Sequence, residues 1–207
     1  MIPLETAAGP ALVPVWVVYP DGYDATKPTV ALLAFPPGAQ DLSMVDANFN
    51  WFVPEAMKRN WLVIGPTAPE GRGFARLGRD LIGPLLDELL KRFPVADGKF
   101  HLGGQSNGGN SAFAAALDFP ERFRSITVLA GAPPDAAEND NVGRLKGMPV
   151  NMFVGEYDDG YLPRMTATRE ALRAAGVWTN FTIVPGSGHV LNDLRGRNAQ
   201  FIFAGME

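Results

Sequence analysis

The 207-residue chain contains no cysteine. That excludes disulfides, thiolate metal ligands and cysteine nucleophiles, and leaves the redox compartment open. Histidine is almost as scarce, with two residues, His101 and His189, so chemistry that needs an imidazole has only two places to happen. No run of lysine or arginine is long enough to follow a phosphate backbone, and the net charge is −4, which argues against a nucleic-acid partner. Long hydrophobic runs are missing too. The longest, such as LVPVWVVYP and TVALLAF, fall well short of the roughly 20 residues that a membrane span requires. The opening MIPLETAAGP has neither the basic start nor the apolar core of an export signal, so the expected location is cytoplasmic, or secreted if a leader has been removed.

What is present describes a globular protein. Hydrophobic residues make up 46% and charged residues 19% of the chain, proportions that support one large core, and a single domain over 1–207 is expected. Short apolar or β-branched runs recur at 12–19, 29–35, 61–65, 99–104, 125–130, 149–154 and 178–184. Several are continuous (TVALLAF, ITVLA, VNMFV), as strands buried on both faces should be. Helical patterns lie between them at 45–59, 76–93, 107–118, 162–175 and 190–204. In the second of these Leu77, Leu81, Leu85, Leu89 and Phe93 make one stripe, and Pro84 fits best if the regular helix begins just before it. Strands alternating with helices predict an α/β fold whose mostly parallel sheet of about seven strands carries helices on both faces. The longest irregular stretch, 131–149, is too short for a separate cap domain.

One segment suggests chemistry. HLGGQSNGGNSAF places Ser106 in a GxSxG pattern, after a strand-like run and before an alanine-rich helical one. A sharp strand-turn-helix corner would hold the hydroxyl above the sheet edge, and the crowding there explains small residues at Gly104 and Gly108. A serine needs a base. His101 lies within the strand that leads to Ser106 and is expected to be a packed structural histidine, whereas His189 follows the run WTNFTIV and the link PGSG, beyond a strand's carboxyl end. The base needs an orienting carboxylate, and Glu156, Asp158 and Asp159 all follow the strand VNMFV. An acidic loop of this kind is ordinarily a solvated turn, and with no histidine ligands nearby a metal site is not expected. The chain order Ser, Asp, His is that of the α/β-hydrolases.

The stretches TVALLAFPPGAQ, WLVIGPTAP, HLGGQSNGGNSAFAAALDFPERF, VNMFVGEYDDG and VPGSGHV resemble the compact, cap-less esterases of the α/β-hydrolase family, grouped with polyhydroxyalkanoate depolymerases, feruloyl esterases and phospholipase/carboxylesterase-type enzymes. The resemblance implies Ser106, Asp158 and His189 as catalytic residues, with Asp158 preferred over Asp159 because the family's acid commonly stands three residues past the glycine that ends its strand. It implies oxyanion donors from the amide of Asn107 and from the loop after TVALLAF. That loop reads PPGAQ where the family usually has His-Gly, and since proline has no N–H the second donor is expected at Gly38 or Ala39.

Ala39, Gln105 and Tyr161 are candidate substrate contacts, and Trp51, Phe52 and Tyr157 either line an apolar pocket or belong to the core. The expected activity is hydrolysis of short-chain or aromatic carboxylic esters, small or polymeric, without a cofactor. A serine peptidase or thioesterase on the same fold is the alternative, and a non-catalytic binding protein a third. Such non-catalytic relatives usually lose a member of the triad, and all three residue types are present here. No GxGxxG occurs, and residues 103–109 lack the lysine of a phosphate loop.

Overall fold

The computed structural model describes residues 1–206. Strands β1 (Ile2–Thr6) and β2 (Gly9–Val13) pair as an antiparallel hairpin outside the main sheet. The main sheet has seven strands: β3 (Val15–Val18), β4 (Ala31–Phe35), β5 (Leu62–Pro66), β6 (Phe100–Gln105), β7 (Phe123–Leu129), β8 (Val150–Gly155) and β9 (Thr179–Val184). Their order is β3-β5-β4-β6-β7-β8-β9, and only β3 runs antiparallel to its neighbour. The expected run 12–19 is thus two strands, broken at Pro14, which cannot donate to a ladder. The hairpin strand β1 has no counterpart among the expected runs.

Among the described residues the α-helices are α1 (Leu42–Lys58), α2 (Ile82–Arg92), α3 (Asn107–Asp118), α4 (Leu162–Ala174) and α5 (Gln200–Phe203). Strand side chains alternate between the two faces, and both faces are buried. Ala31, Leu33 and Phe35 of β4 join the core formed with α2, α3 and α4, while Leu32 and Ala34 face α1 and α5. Continuous apolar runs are the outcome of this double burial.

Helix α2 starts later than the leucine stripe suggested. Gly78 donates to the Gly73 carbonyl and closes a loop, which leaves Leu77 74% exposed, while Leu81, Leu85 and Leu89 are fully buried and Pro84 falls in the first turn. The expected helix 190–204 is three short pieces, two 3-10 turns and α5, because Arg195 between them is extended (ψ 165°). Residues 136–145 of the irregular stretch form 3-10 turns that bury Val142 and Leu145.

His101 is a core residue, as expected. It is 4% exposed, lies flat on the Trp61 ring (centroids 4.3 Å apart, 7° between planes), and its Nδ1 is 2.7 Å from Ser125 Oγ. Burial, with Arg124 nearby, pushes its pKa down from the ordinary 6.5 to about 3. The folded state therefore refuses a proton that the unfolded chain accepts below the ordinary value. This contribution to stability is present at neutral pH and is lost as pH falls from 6.5 towards 3. Between pH 7 and 4.5 the expected loss is about 2 to 3 kcal/mol. A His101→Phe variant is expected to be less stable at pH 7, with Ser125 unpaired, but to lose less on acidification. Denaturant titrations at the two pH values check this, and equal losses in both proteins would refute it.

Candidate active site

The geometry begins at the corner between β6 and α3. Ser106 has φ 54° and ψ −121°, a strained backbone for a residue with a Cβ, and it is held there by its amide donating to Leu129 O (2.9 Å) and its carbonyl accepting from the Asn110 amide (3.0 Å). A Cβ at Gly108 would come within 2.0 Å of Phe35 O, and one at Gly104 within 2.4 Å of the Gly108 backbone. The spacing of the GxSxG glycines is a consequence of strand β4, strand β6 and helix α3 converging at one point.

Three side chains distant in sequence meet at the carboxyl ends of the strands. Ser106 Oγ lies 2.9 Å from His189 Nε2, and His189 Nδ1 lies 2.8 Å from Asp158 Oδ2. The carboxylate accepts the Nδ1 proton, leaving Nε2 as an acceptor for the serine hydroxyl. Asp158 is 5% exposed, while Asp159 is exposed. The second carboxylate oxygen of Asp158 accepts from the Tyr161 amide (3.0 Å). Glu156 is occupied elsewhere: its carboxylate accepts from the Gly186 amide (2.9 Å) and so braces the loop that carries His189. The two loops are packed so closely that a Cβ on Gly155 would sit 2.1 Å from Gly188 O.

The Tyr161 ring stacks on His189 (centroids 5.2 Å apart, 23° between planes) and its hydroxyl accepts from Asn110 Nδ2 (3.1 Å), so it buttresses the imidazole; it is not among the residues lining the cavity beside Ser106. Gln105 is buried and donates to the His189 carbonyl (3.4 Å) while forming part of the cavity wall. Phe52 is a fully buried core residue and Tyr157 points into solvent; of the aromatic candidates only Trp51 lines the cavity beside Ser106.

The loop after β4 is a turn in which the Gln40 amide donates to Pro37 O (2.9 Å), with Gly38 at φ 56°. Asn107 Nδ2 donates to Gly38 O (2.9 Å) and ties this turn to the serine corner. Sequence reading missed Gln40. Its buried side chain donates to Pro36 O and Ser111 Oγ and accepts from the Phe74 amide, so one amide group anchors three segments. Among the described residues, the amides of Gly38, Ala39 and Asn107 have no protein acceptor.

Two cavities flank the turn. One, about 300 Å³, is lined by Met44, Ala47, Trp51, Val190 and Arg195 along with Ser106 and His189. The other, about 260 Å³, includes Ala39, Arg76, Leu77 and Pro134. A further cavity, about 680 Å³, lies between the β1-β2 hairpin and residues 68–72 and is lined by none of the residues named here as candidates. Among the described residues no group of three or more histidines and carboxylates is placed to hold a metal ion, and no helix is long and apolar enough to cross a membrane.

Residues 20–182 match the esterase family. No curated protein matches the chain. The fold is similar to that of a thermostable esterase (TM-score 0.72, 16% identity, covering 90% of this chain and 54% of that one). It is also similar to an S-formylglutathione hydrolase from Agrobacterium tumefaciens (TM-score 0.67, 14% identity, 93% and 88% covered) and to the dipeptidyl peptidase 4 of Porphyromonas gingivalis (TM-score 0.71, 16% identity, 99% and 35% covered). The chain therefore spans about half of the thermostable esterase and about a third of the peptidase.

Proposed function

This chain belongs to the esterase family and has the α/β-hydrolase fold, and from that premise we propose that it is a serine hydrolase acting on carboxylic esters of short or aromatic acids. The observation that carries the reading is the unbroken relay from Ser106 Oγ through His189 to the buried Asp158, open to a cavity on the serine side. In this reading Ser106 Oγ attacks the ester carbonyl carbon while His189 Nε2 takes the hydroxyl proton. Asp158 fixes the imidazole's tautomer and stabilises its cation. His189 then gives the proton to the departing alcohol, leaving an acyl-serine. Water attacks this in turn, losing a proton to His189, and His189 passes that proton to Ser106 Oγ as its bond to the acyl carbon breaks and the acid leaves. The sum is ester plus water giving acid plus alcohol.

The oxyanion of each tetrahedral intermediate needs at least two donors. The Asn107 amide, at the unpaired start of α3, is one. For the other, peptide planarity favours Gly38 over Ala39. Peptide bonds here are all trans, so an N–H points opposite to the carbonyl before it. Pro37 O turns inward to Gln40, which sends the Gly38 N–H outward, whereas Gly38 O faces the Asn107 side chain, which sends the Ala39 N–H away from the corner.

A fluorophosphonate probe tests the reading. Stoichiometric labelling that maps to Ser106 is expected, together with turnover of p-nitrophenyl acetate, butyrate and benzoate. A panel in which only long acyl chains react would contradict the substrate class, because the cavity beside Ser106 is small (about 300 Å³). Labelling at any other residue, or none, would defeat the mechanism.

A further inference from the structure

Away from Gln105, Ser106 and His189, the wall of the cavity beside Ser106 is apolar apart from one feature. Among the described residues, Arg195 is the only lysine, arginine, aspartate or glutamate lining it. Its guanidinium lies over the Trp51 ring, with Cζ 4.0 Å from the ring centroid. The platform is fixed, since Trp51 is 2% exposed and its Nε1 donates to Leu191 O (3.0 Å) on the segment that leads to Arg195. A π-face balances part of a cation's charge but takes none of its five N–H donors.

Those donors lack the carboxylate that several other arginines in this chain hold. Arg72 pairs with Asp80, Arg79 with Asp118, Arg122 with Asp87, Arg124 with Asp97 and Arg169 with Glu170. Among the described residues no carboxylate pairs with Arg195, and its Nε is buried without any hydrogen-bond partner. Arg124 and Arg169 also have a buried, unpartnered Nε, but each holds a carboxylate on its Nη2. The nearest acid in sequence, Asp193, is occupied by Ser187 Oγ (3.0 Å). Arg195 is half-buried, and a guanidinium whose Nε is shut off from solvent and which has no counter-ion gains when a ligand brings the missing anion.

We propose that Arg195 selects esters that carry a carboxylate at the far end of the group filling this cavity, with an apolar body between Met44, Ala47, Trp51 and Val190. The inference rests on the esterase reading given above. Its substrates are monoesters of dicarboxylic acids if the acyl part fills the cavity, and esters of hydroxy acids if the alcohol part does. The carboxylate is far from the reacting carbonyl and its pairing is the same in ground and transition states, so the gain falls on KM.

Two pairs of shape-matched substrates test this, with rates corrected for the uncatalysed reaction. In the acyl arm, mono-p-nitrophenyl glutarate is compared with p-nitrophenyl 5-methylhexanoate, where an isopropyl group replaces the carboxylate. In the alcohol arm, the butyrate ester of 4-hydroxybutyrate is compared with 4-methylpentyl butyrate. The wild-type protein is expected to favour the anionic member of one pair by about ten- to a hundredfold in kcat/KM, mostly through KM. The preference should shrink as salt is raised. In Arg195→Met and Arg195→Gln the ratio is expected to fall to about one or below, while Arg197→Met, which removes an exposed charge outside the cavity, keeps it.

The wild-type ratio needs no variant, so a misfolded mutant does not leave the question open. Turnover of the neutral esters and labelling of Ser106 with a ratio of one or less in both arms would overturn this inference and leave the esterase reading standing. A ratio that survives both Arg195 substitutions would do the same. No turnover and no labelling would bring down both.

Discussion

Replacing Ser106 with alanine is expected to lower kcat/KM for p-nitrophenyl butyrate by about 10⁴- to 10⁶-fold and to abolish fluorophosphonate labelling. The size follows from what the substitution takes away. In the proposed mechanism Oγ is the atom that forms the covalent intermediate, while the proposed oxyanion donors at Gly38 and Asn107 are left in place and would sustain a small residual rate. Stability should hardly change. Alanine and serine bear the same strain at φ 54°, and the hydroxyl lost is only partly buried. Thermal unfolding of the variant within a few degrees of wild type, together with the loss of turnover, separates a chemical role from a structural one. If the alanine variant keeps a tenth or more of the activity, Ser106 is not the nucleophile.

The second large effect distinguishes two adjacent acids. Asp158→Asn is expected to reduce kcat by about 10⁴-fold, and Asp159→Asn to change it less than about twofold. An asparagine at 158 can still accept from the Tyr161 amide with its carbonyl oxygen. It would then present an NH₂ to His189 Nδ1, which favours the tautomer with the proton on Nε2. That nitrogen could no longer accept from Ser106. Asp159 is exposed, and among the described residues it has no such partner to disturb. Combining Ser106→Ala with Asp158→Asn should cost scarcely more than the alanine alone, because the residues act as one unit. Equal losses in the two single asparagine variants would remove Asp158 from its role. The double mutant losing the full product of the single effects would show that the relay is not acting as a unit.

Much of this was legible before any coordinates. The doubly buried strands announce themselves as continuous apolar runs, and helix α3 occupies the expected 107–118. The GxSxG corner could be read because its constraints are local: a turn that tight between a strand and a helix admits only small residues on either side of the serine. The hairpin strand β1 could not, since IPLET is a short run whose pairing with β2 is decided by contacts rather than by propensity. The leucine stripe extended one turn too far at Leu77 because periodicity carries no information about the loop closed between Gly73 and Gly78. Tyr161 is expected as a substrate contact because it lies beside the site loops; its stacking on His189 depends on how two loops, from β8 and β9, face one another.

By itself, the sequence determined the alternation of strands and helices, the serine corner, and the absence of thiol chemistry, each of which follows from residue type or from spacing within a few turns of chain. Tertiary structure alone decided which of three acids reaches the imidazole, that Gln40 and Asn107 hold the PPGAQ turn, and that Arg195 lies over Trp51 without a carboxylate. These are contacts between segments far apart along the chain. Their distances are set by how the strands stack in the sheet and how the loops pack above its edge, and no local pattern encodes that.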